Sequence, residues 1–274
     1  MSDFDEMRAP GASLRFYENG PAWDGAAAVA LGALTFTDPE AGAALLREAL
    51  ARADGRPVLA PMDGDTWHAY RTVTESDGSP PFLMEPAAHP HVAEALALAG
   101  FAPVAHYAST RMALDTPQAE PAPVEGIAVA AWDGTDAQPL LEQVFALAGG
   151  SFADKQFFKP ITREGFLGLY LPLLPLLDPR LVFLARDESG AIVGFLLGFR
   201  DPAMPSRAVL KTYAGTRRGV GHLLAHQFHE AARGLGCTHV VHALMHSDNV
   251  SLVRSGQHGA EVFRRYALFG HHPA

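Results

Sequence analysis

Apolar and polar positions along this chain switch between a period of two and a period near 3.6, and the switches mark its elements. Ser13–Glu18 reads as a short strand and Ala27–Phe36 as a longer apolar run. Asp38 followed by Pro39 is a helix start, because the carboxylate satisfies free N–H groups and proline fits the first turn. A helix is expected from Pro39 to about Ala53, stopped by Asp54-Gly55. Pro57–Met62 then reads as a strand, Asp63–Pro81 as a loop and Phe82–Glu85 as extended chain. His91–Ala99 reads as a helix closed by Gly100, and Pro103–Leu114 as a strand. After Asp115–Val124, Ile127–Trp132 reads as a strand, and Thr135 or Asp136 caps a helix that runs through Ala148 to a stop at Gly149-Gly150. Thr162, with Glu164 in the first turn, starts another helix. Leu181–Asp187 and Ala191–Arg200 form a hairpin across Glu188-Ser189-Gly190.

The stretch with most chemical content comes next. Ala208–Ala214 is apolar with β-branched Val209 and Thr212, which suits a strand. Gly215-Thr216-Arg217-Arg218-Gly219-Val220-Gly221 turns the backbone tightly, and from His222 the period becomes helical, with Leu224, Phe228, Ala231 and Leu235 on one stripe. Gly234 and Gly236 mark its end. Such a turn suits phosphate: glycines let the backbone approach, helix N–H groups point at an anion, and Arg217 and Arg218 add planar cationic forks. It is neither a Walker loop nor a full G-x-G-x-x-G fingerprint.

Strand, Arg-Arg-Gly-x-Gly, amphipathic helix, strand and Asn249 together resemble the GNAT (GCN5-related N-acetyltransferase) superfamily, from about Val124 onward. Gly219 and Gly221 match the family's Arg/Gln-x-x-Gly-x-Gly/Ala motif; Thr216 stands where Arg or Gln is usual. The resemblance implies an α/β (α+β) GNAT fold, with a mixed central sheet flanked by helices. It also implies acetyl-CoA as co-substrate, held by Lys211, Thr212, Tyr213, Arg217, Arg218, Gly219, Val220, Gly221 and Asn249. The implied activity is acyl-CoA-dependent N-acyl transfer, acetyl by family habit, to the amine of a small molecule by direct attack in a ternary complex. The rival is a non-catalytic acyl-CoA-binding or structural module.

A weak internal repeat extends this reading. Pro90 to Gly100 spans the same ten steps as Asn249 to Gly259, and Gly100 to Tyr107 the same seven as Gly259 to Tyr266. Residues 1–115 are therefore expected to be a degenerate, partial GNAT-like domain, 116–124 a proline-containing linker, and 125–274 the complete acyl-CoA-binding domain. The first half has Asp38 and Pro39 where a phosphate would need free amides, so it is not expected to bind CoA.

Composition narrows the partners. A net charge of −9 argues against nucleic acid and anionic membrane. Cys237 is the lone cysteine, which precludes an internal disulfide and fits a reducing compartment. The polar, acidic start MSDFDEMRAPG shows no signal or spanning pattern, so a cytoplasmic monomer or homodimer is expected.

The chemistry is less complete than the motif. The strand lacks the carboxylate that many relatives use as base; His246 is the local candidate, against a water relay. The family often places an acid tyrosine about four residues before the closing glycine, where this chain has Ser255; Tyr266 is the nearest tyrosine. His222, His226, His229 and Arg233 share a stripe read as a solvated polar face, and no metal is expected. Phe152, Phe157, Phe158 and Tyr170, with Trp67, His68 and Tyr70, are candidates either for an acceptor pocket or for core packing.

Overall fold

The computed structural model describes residues 3–115, 118–248, 252, 255–256 and 259–273. In the first half, β1 (Asp5–Ala9), β2 (Ala12–Tyr17) and a small hairpin of β3 (Ala22–Trp23) and β4 (Ala26–Ala27) precede β5 (Val29–Phe36). Next come α1 (Pro39–Arg52), β6 (Val58–Ala60), β7 (Thr72–Ser76), α2 (Val92–Leu98) and β8 (Ala102–Ala113). The second half runs β9 (Ile127–Ala131), α3 (Ala137–Phe152), α4 (Arg163–Tyr170), β10 (Val182–Asp187) and β11 (Ile192–Arg200). It continues through β12 (Arg207–Gly215), α5 (Val220–Gly234), β13 (His239–His246) and β14 (Glu261–His271).

Local rules account for several of these boundaries. Asp38 caps α1 by accepting from the Ala41 N–H, and Thr162 caps α4 by accepting from the Gly165 N–H. Four expectations fail. The helix α3 continues through Gly149 and Gly150 to Phe152, because packing of Ala148 and Phe152 in the apolar core outweighs the roughly 1 kcal/mol cost of each mid-helix glycine. Asp136 does precede α3, but in the left-handed region and without a capping hydrogen bond. Thr72–Ser76, read as loop, forms an edge strand on β14, and Phe82–Glu85 is a turn around Met84 at φ 63° rather than extended chain.

One sheet contains twelve of the described strands, in the order β1-β2-β5-β6-β14-β8-β13-β12-β11-β10-β9, with β7 also on β14. Each half has a parallel strand–helix–strand unit, β5-α1-β6 and β12-α5-β13. The closing strands cross over. β8, from before the proline-containing stretch, pairs with β13, and β14 pairs with β6 and β7 while also meeting β8 along nearly its whole length. One core lies between α1, α2 and the first sheet half; another lies under α5, where Val220, Leu224, Phe228 and Ala232 are buried. Helices α3 and α4 cover the opposite face of β10–β12.

A buried ion pair fixes the start of β12. Arg207 binds Asp201 through Nε (2.9 Å) and Nη2 (2.5 Å), and also donates to the carbonyls of Pro80 (3.2 Å) and Pro81 (3.1 Å). Both side chains are almost fully buried, so removing one partner strands the other charge in the core. Asp201→Ala should therefore lose about 3–5 kcal/mol in urea denaturation. An Asp201→Leu/Arg207→Met double variant should lose less than the single one, because neither charge is then left behind.

Candidate active site

The site is made by two strands that part. β12 and β13 pair in parallel from Arg207↔His239 to Leu210↔His242 and no further. Lys211 is the extra residue of a bulge against β11, where the register slips between Leu197↔Thr212 and Gly198↔Leu210. On the other side β13 slips against β8 between His242 and Met245, and Leu244 takes φ 57°. The gap opens into a cavity of about 860 Å³. Its walls come from both halves: Trp67, Tyr70, Arg71 and Tyr107 from the first, Lys211, Tyr213 and His246 among those from the second.

At the end of β12 the chain enters α5 through the glycine turn. Gly219 has φ 91°, a value that favours glycine, and a Cβ there would lie 2.8 Å from Val124 Cγ2. A Cβ on Gly221 would lie 2.8 Å from the Tyr213 ring. Val220, His222 and Leu223 donate back to the carbonyls of Arg217 and Gly219, whereas the N–H groups of Arg218, Gly219 and Gly221 make no hydrogen bond among the described residues. Arg218 is exposed, and Arg217 reaches Asp187 only at 3.5 Å. These N–H groups and cations can receive an anion, while the missing Cβ atoms let Val124 and the Tyr213 ring pack against the turn. Thr216 is used differently: its N–H and hydroxyl both bond the Val193 carbonyl, tying the turn to β11.

A hydrogen-bonded line runs along one wall. Thr110 Oγ1 meets Ser255 Oγ at 2.6 Å, Ser255 Oγ meets His242 Nδ1 at 2.7 Å, and His242 Nε2 meets His229 Nε2 at 2.9 Å. One nitrogen of the last pair must donate and the other accept, so the line carries its protons in one of two directions. His242 occupies the final paired position before the strands part.

No protein-family model matches this chain, and no curated protein matches it. Solved structures do. A GCN5-related N-acetyltransferase from Sphaerobacter thermophilus superposes with a TM-score of 0.60 at 16% identity, over 95% of this chain and 76% of that one. A tandem GNAT protein from the clavulanic acid biosynthesis pathway, solved without AcCoA, gives a TM-score of 0.56 at 18% identity, over 97% and 81%. The fold is the tandem GNAT fold.

Within this GNAT fold the residues singled out from sequence separate into groups. Lys211, Thr212, Tyr213, Gly221, His246 and Ser255 all line the cavity, and Arg217, Arg218, Gly219 and Val220 form the turn beside it. Asn249 lies outside the described residues. Tyr266 is not brought to the cavity: it is fully buried, its hydroxyl bonded to Glu85 and to Ser109 (3.0 Å), and burial raises its pKa well above the phenol range. The histidine stripe on α5 is only in part a solvated face: His222 is exposed and His226 half-buried, whereas His229 is buried, and all three line the cavity. No group of three or more metal-ligating side chains occurs among the described residues. No helix among them is long and apolar enough to cross a membrane. Of the aromatics, Trp67, Tyr70, Phe152, Phe158 and Tyr170 line the cavity, while Phe157 packs edge-on to Trp23.

His246 is held with Nδ1 accepting the Asp248 N–H (3.2 Å), so its proton sits on Nε2, which has no partner. Burial lowers its pKa, and the imidazole is neutral at pH 7. Lys211 is the residue whose chemistry the sequence reading missed. Its Nζ donates to the Met84 carbonyl at 3.1 Å, and burial, followed by the charge of Arg71, pushes its pKa down to about 7. A lysine on a strand otherwise reads as a solvated edge; only the bulge and the Met84 turn enclose it.

The folded protein holds this amine at about 7 and the unfolded chain at 10.5. Folding thus releases a proton between those values, and the Lys211 contribution to stability rises with pH across that window. Lys211→Met should accordingly melt higher than the wild type at pH 7 and below, with the difference fading toward pH 10.5 in a series of thermal melts.

Proposed function

We propose that this protein transfers an acyl group, acetyl in the simplest case, from acyl-CoA to the amine of a small molecule by direct attack in a ternary complex. The observation that carries this reading is the parting of β12 and β13 beside a glycine turn with free N–H groups, in the tandem GNAT fold. Residues Arg217–Gly221 would hold the pyrophosphate, and the open edge of Lys211–Tyr213 would run beside the pantetheine. Bound acyl-CoA supplies the thioester carbon; the amine nitrogen bonds to it, the carbon–sulfur bond breaks, one proton leaves the nitrogen and one reaches the sulfur.

Lys211 is the better base. Near pH 7 a substantial fraction is uncharged with a lone pair in the cavity, whereas the basic nitrogen of His246 is already engaged by a backbone N–H. The returning proton has a route through Ser255, whose hydroxyl is backed by His242 and His229; reversing the direction of that line delivers a proton at one end while taking one up at the other. This gives Ser255 an acid role that an isolated hydroxyl lacks. Amine acceptors fit the cavity's aromatic walls, where ring faces favour a cationic or apolar body.

Thermal melts with acetyl-CoA test the reading. At a hundredfold excess over Kd a ligand of the folded state contributes about 2.7 kcal/mol, a rise of several degrees in Tm. That rise is expected with acetyl-CoA and should be largely lost in Arg217→Ala/Arg218→Ala. Thiol release with a primary-amine panel should then fall at least about tenfold in Lys211→Met. Absence of any stabilisation by millimolar acetyl-CoA would overturn the proposal in favour of a structural module.

A further inference from the structure

Arg71 is a cation of the cavity wall that acyl transfer, as described, leaves without a task. Its backbone sits at φ 69°, in a region where a non-glycine residue persists only if its surroundings hold it. The residue is 9% exposed. Its guanidinium carbon lies 3.9 Å from the ring centroid of Tyr70 and 4.2 Å from that of Tyr107, and these rings meet edge-on at 5.7 Å. Nη1 donates to the Leu244 carbonyl, exposed by the irregularity in β13, at 3.2 Å. Nε has no partner.

No carboxylate forms an ion pair with Arg71 among the described residues. The acidic groups in and beside the cavity are committed or exposed: Glu85 pairs with Arg264 (2.5 Å) and with the Tyr266 hydroxyl, Asp65 accepts from Trp67 and bonds His68, and Asp154 on the cavity wall is exposed. Asp248 is exposed and faces His246. The lysines of the cavity wall, Lys211 and the exposed Lys155, cannot compensate it, and repulsion from Arg71 lowers the pKa of Lys211. A buried cation without an anion is costly, and the two tyrosine faces offset only part of that cost.

We propose that Arg71 binds a carboxylate carried by the small molecule that enters this cavity. A single fixed guanidinium, held against two rings and a backbone carbonyl, matches one negative charge, as on a carboxylate, while the N–H cluster of the glycine turn is the place for phosphates. The proposal rests on the acyl-transfer reading for the identity of the carrier, which is either the amine acceptor or the acyl chain. Arg71 comes from the loop between β6 and β7, so this contact also gives the first half of the chain a direct part in choosing the ligand.

Calorimetry on the full chain with paired probes decides it. One arm compares amino acids with their C-terminal amides, without CoA present; the other compares malonyl-CoA and succinyl-CoA with acetyl-CoA. At least one acidic probe should bind about tenfold tighter than its neutral partner, the ratio expected of a charge-assisted pair. Arg71→Gln should bring that ratio close to one while changing the affinity for the neutral probe little, and Arg71→Lys should restore part of it. Preference in the first arm assigns the carboxylate to the acceptor; preference in the second assigns it to the acyl chain. Equal binding of acidic and neutral probes in both arms, or a preference that survives in Arg71→Gln, overturns the proposal. Should Arg71→Gln fail to fold, the wild-type ratios and Arg71→Lys carry the decision. Failure of acyl transfer itself reads differently, as no response to any CoA ester while the amino-acid arm is still measured.

Discussion

Two parallel strands can separate inside a sheet only if each is held from its far side. β12 is held by β11 along Gly194–Arg200, and β13 is held by β8 along His239–His246. The cavity, the bulged lysine and the glycine turn all depend on that double support. Its second member comes from the other half of the chain, because β8 lies before the proline-containing stretch and β14, the last described strand, has gone to β6 and β7. The crossing of these closing strands is therefore part of the site's construction.

The same dependence appears in the loops. The segment from Ser79 to Glu85 is gripped twice, once by Arg207 at the start of β12 and once by Arg264 on β14. Between those grips Met84 offers its carbonyl to Lys211. A stretch with no regular structure thus sets the environment of an amine on the cavity wall. Its order comes from buried charge pairs, whose main effect is to fix one arrangement among many.

What could be read from the chain follows the range of the interactions involved. Asp38-Pro39 and Thr162 mark helix starts because a cap needs only its neighbours, and the turn Arg217–Gly221 is legible because glycine conformation is local. The run of Ala148-Gly149-Gly150 misleads for the opposite reason: its helix is held by distant packing. Thr72–Ser76 is a strand only because β14 has a vacant edge there. The pairing of His229 with His242, and the enclosure of Lys211 by Met84, join residues far apart in sequence. Tyr266 shows the converse error, since a tyrosine near the right place in sequence turned out to serve a buried network with Glu85 and Ser109.

The crossed closing strands also order events during synthesis. β14 pairs with β6, β7 and β8, yet it is made after every other described strand. The first half therefore leaves the ribosome with the inner edge of β6 open, and only the arrival of residues 261–271 fills it. Domains usually fold as they emerge, one after another. Here the two halves finish together, and until then an unpaired strand edge is exposed to any neighbour able to add to it.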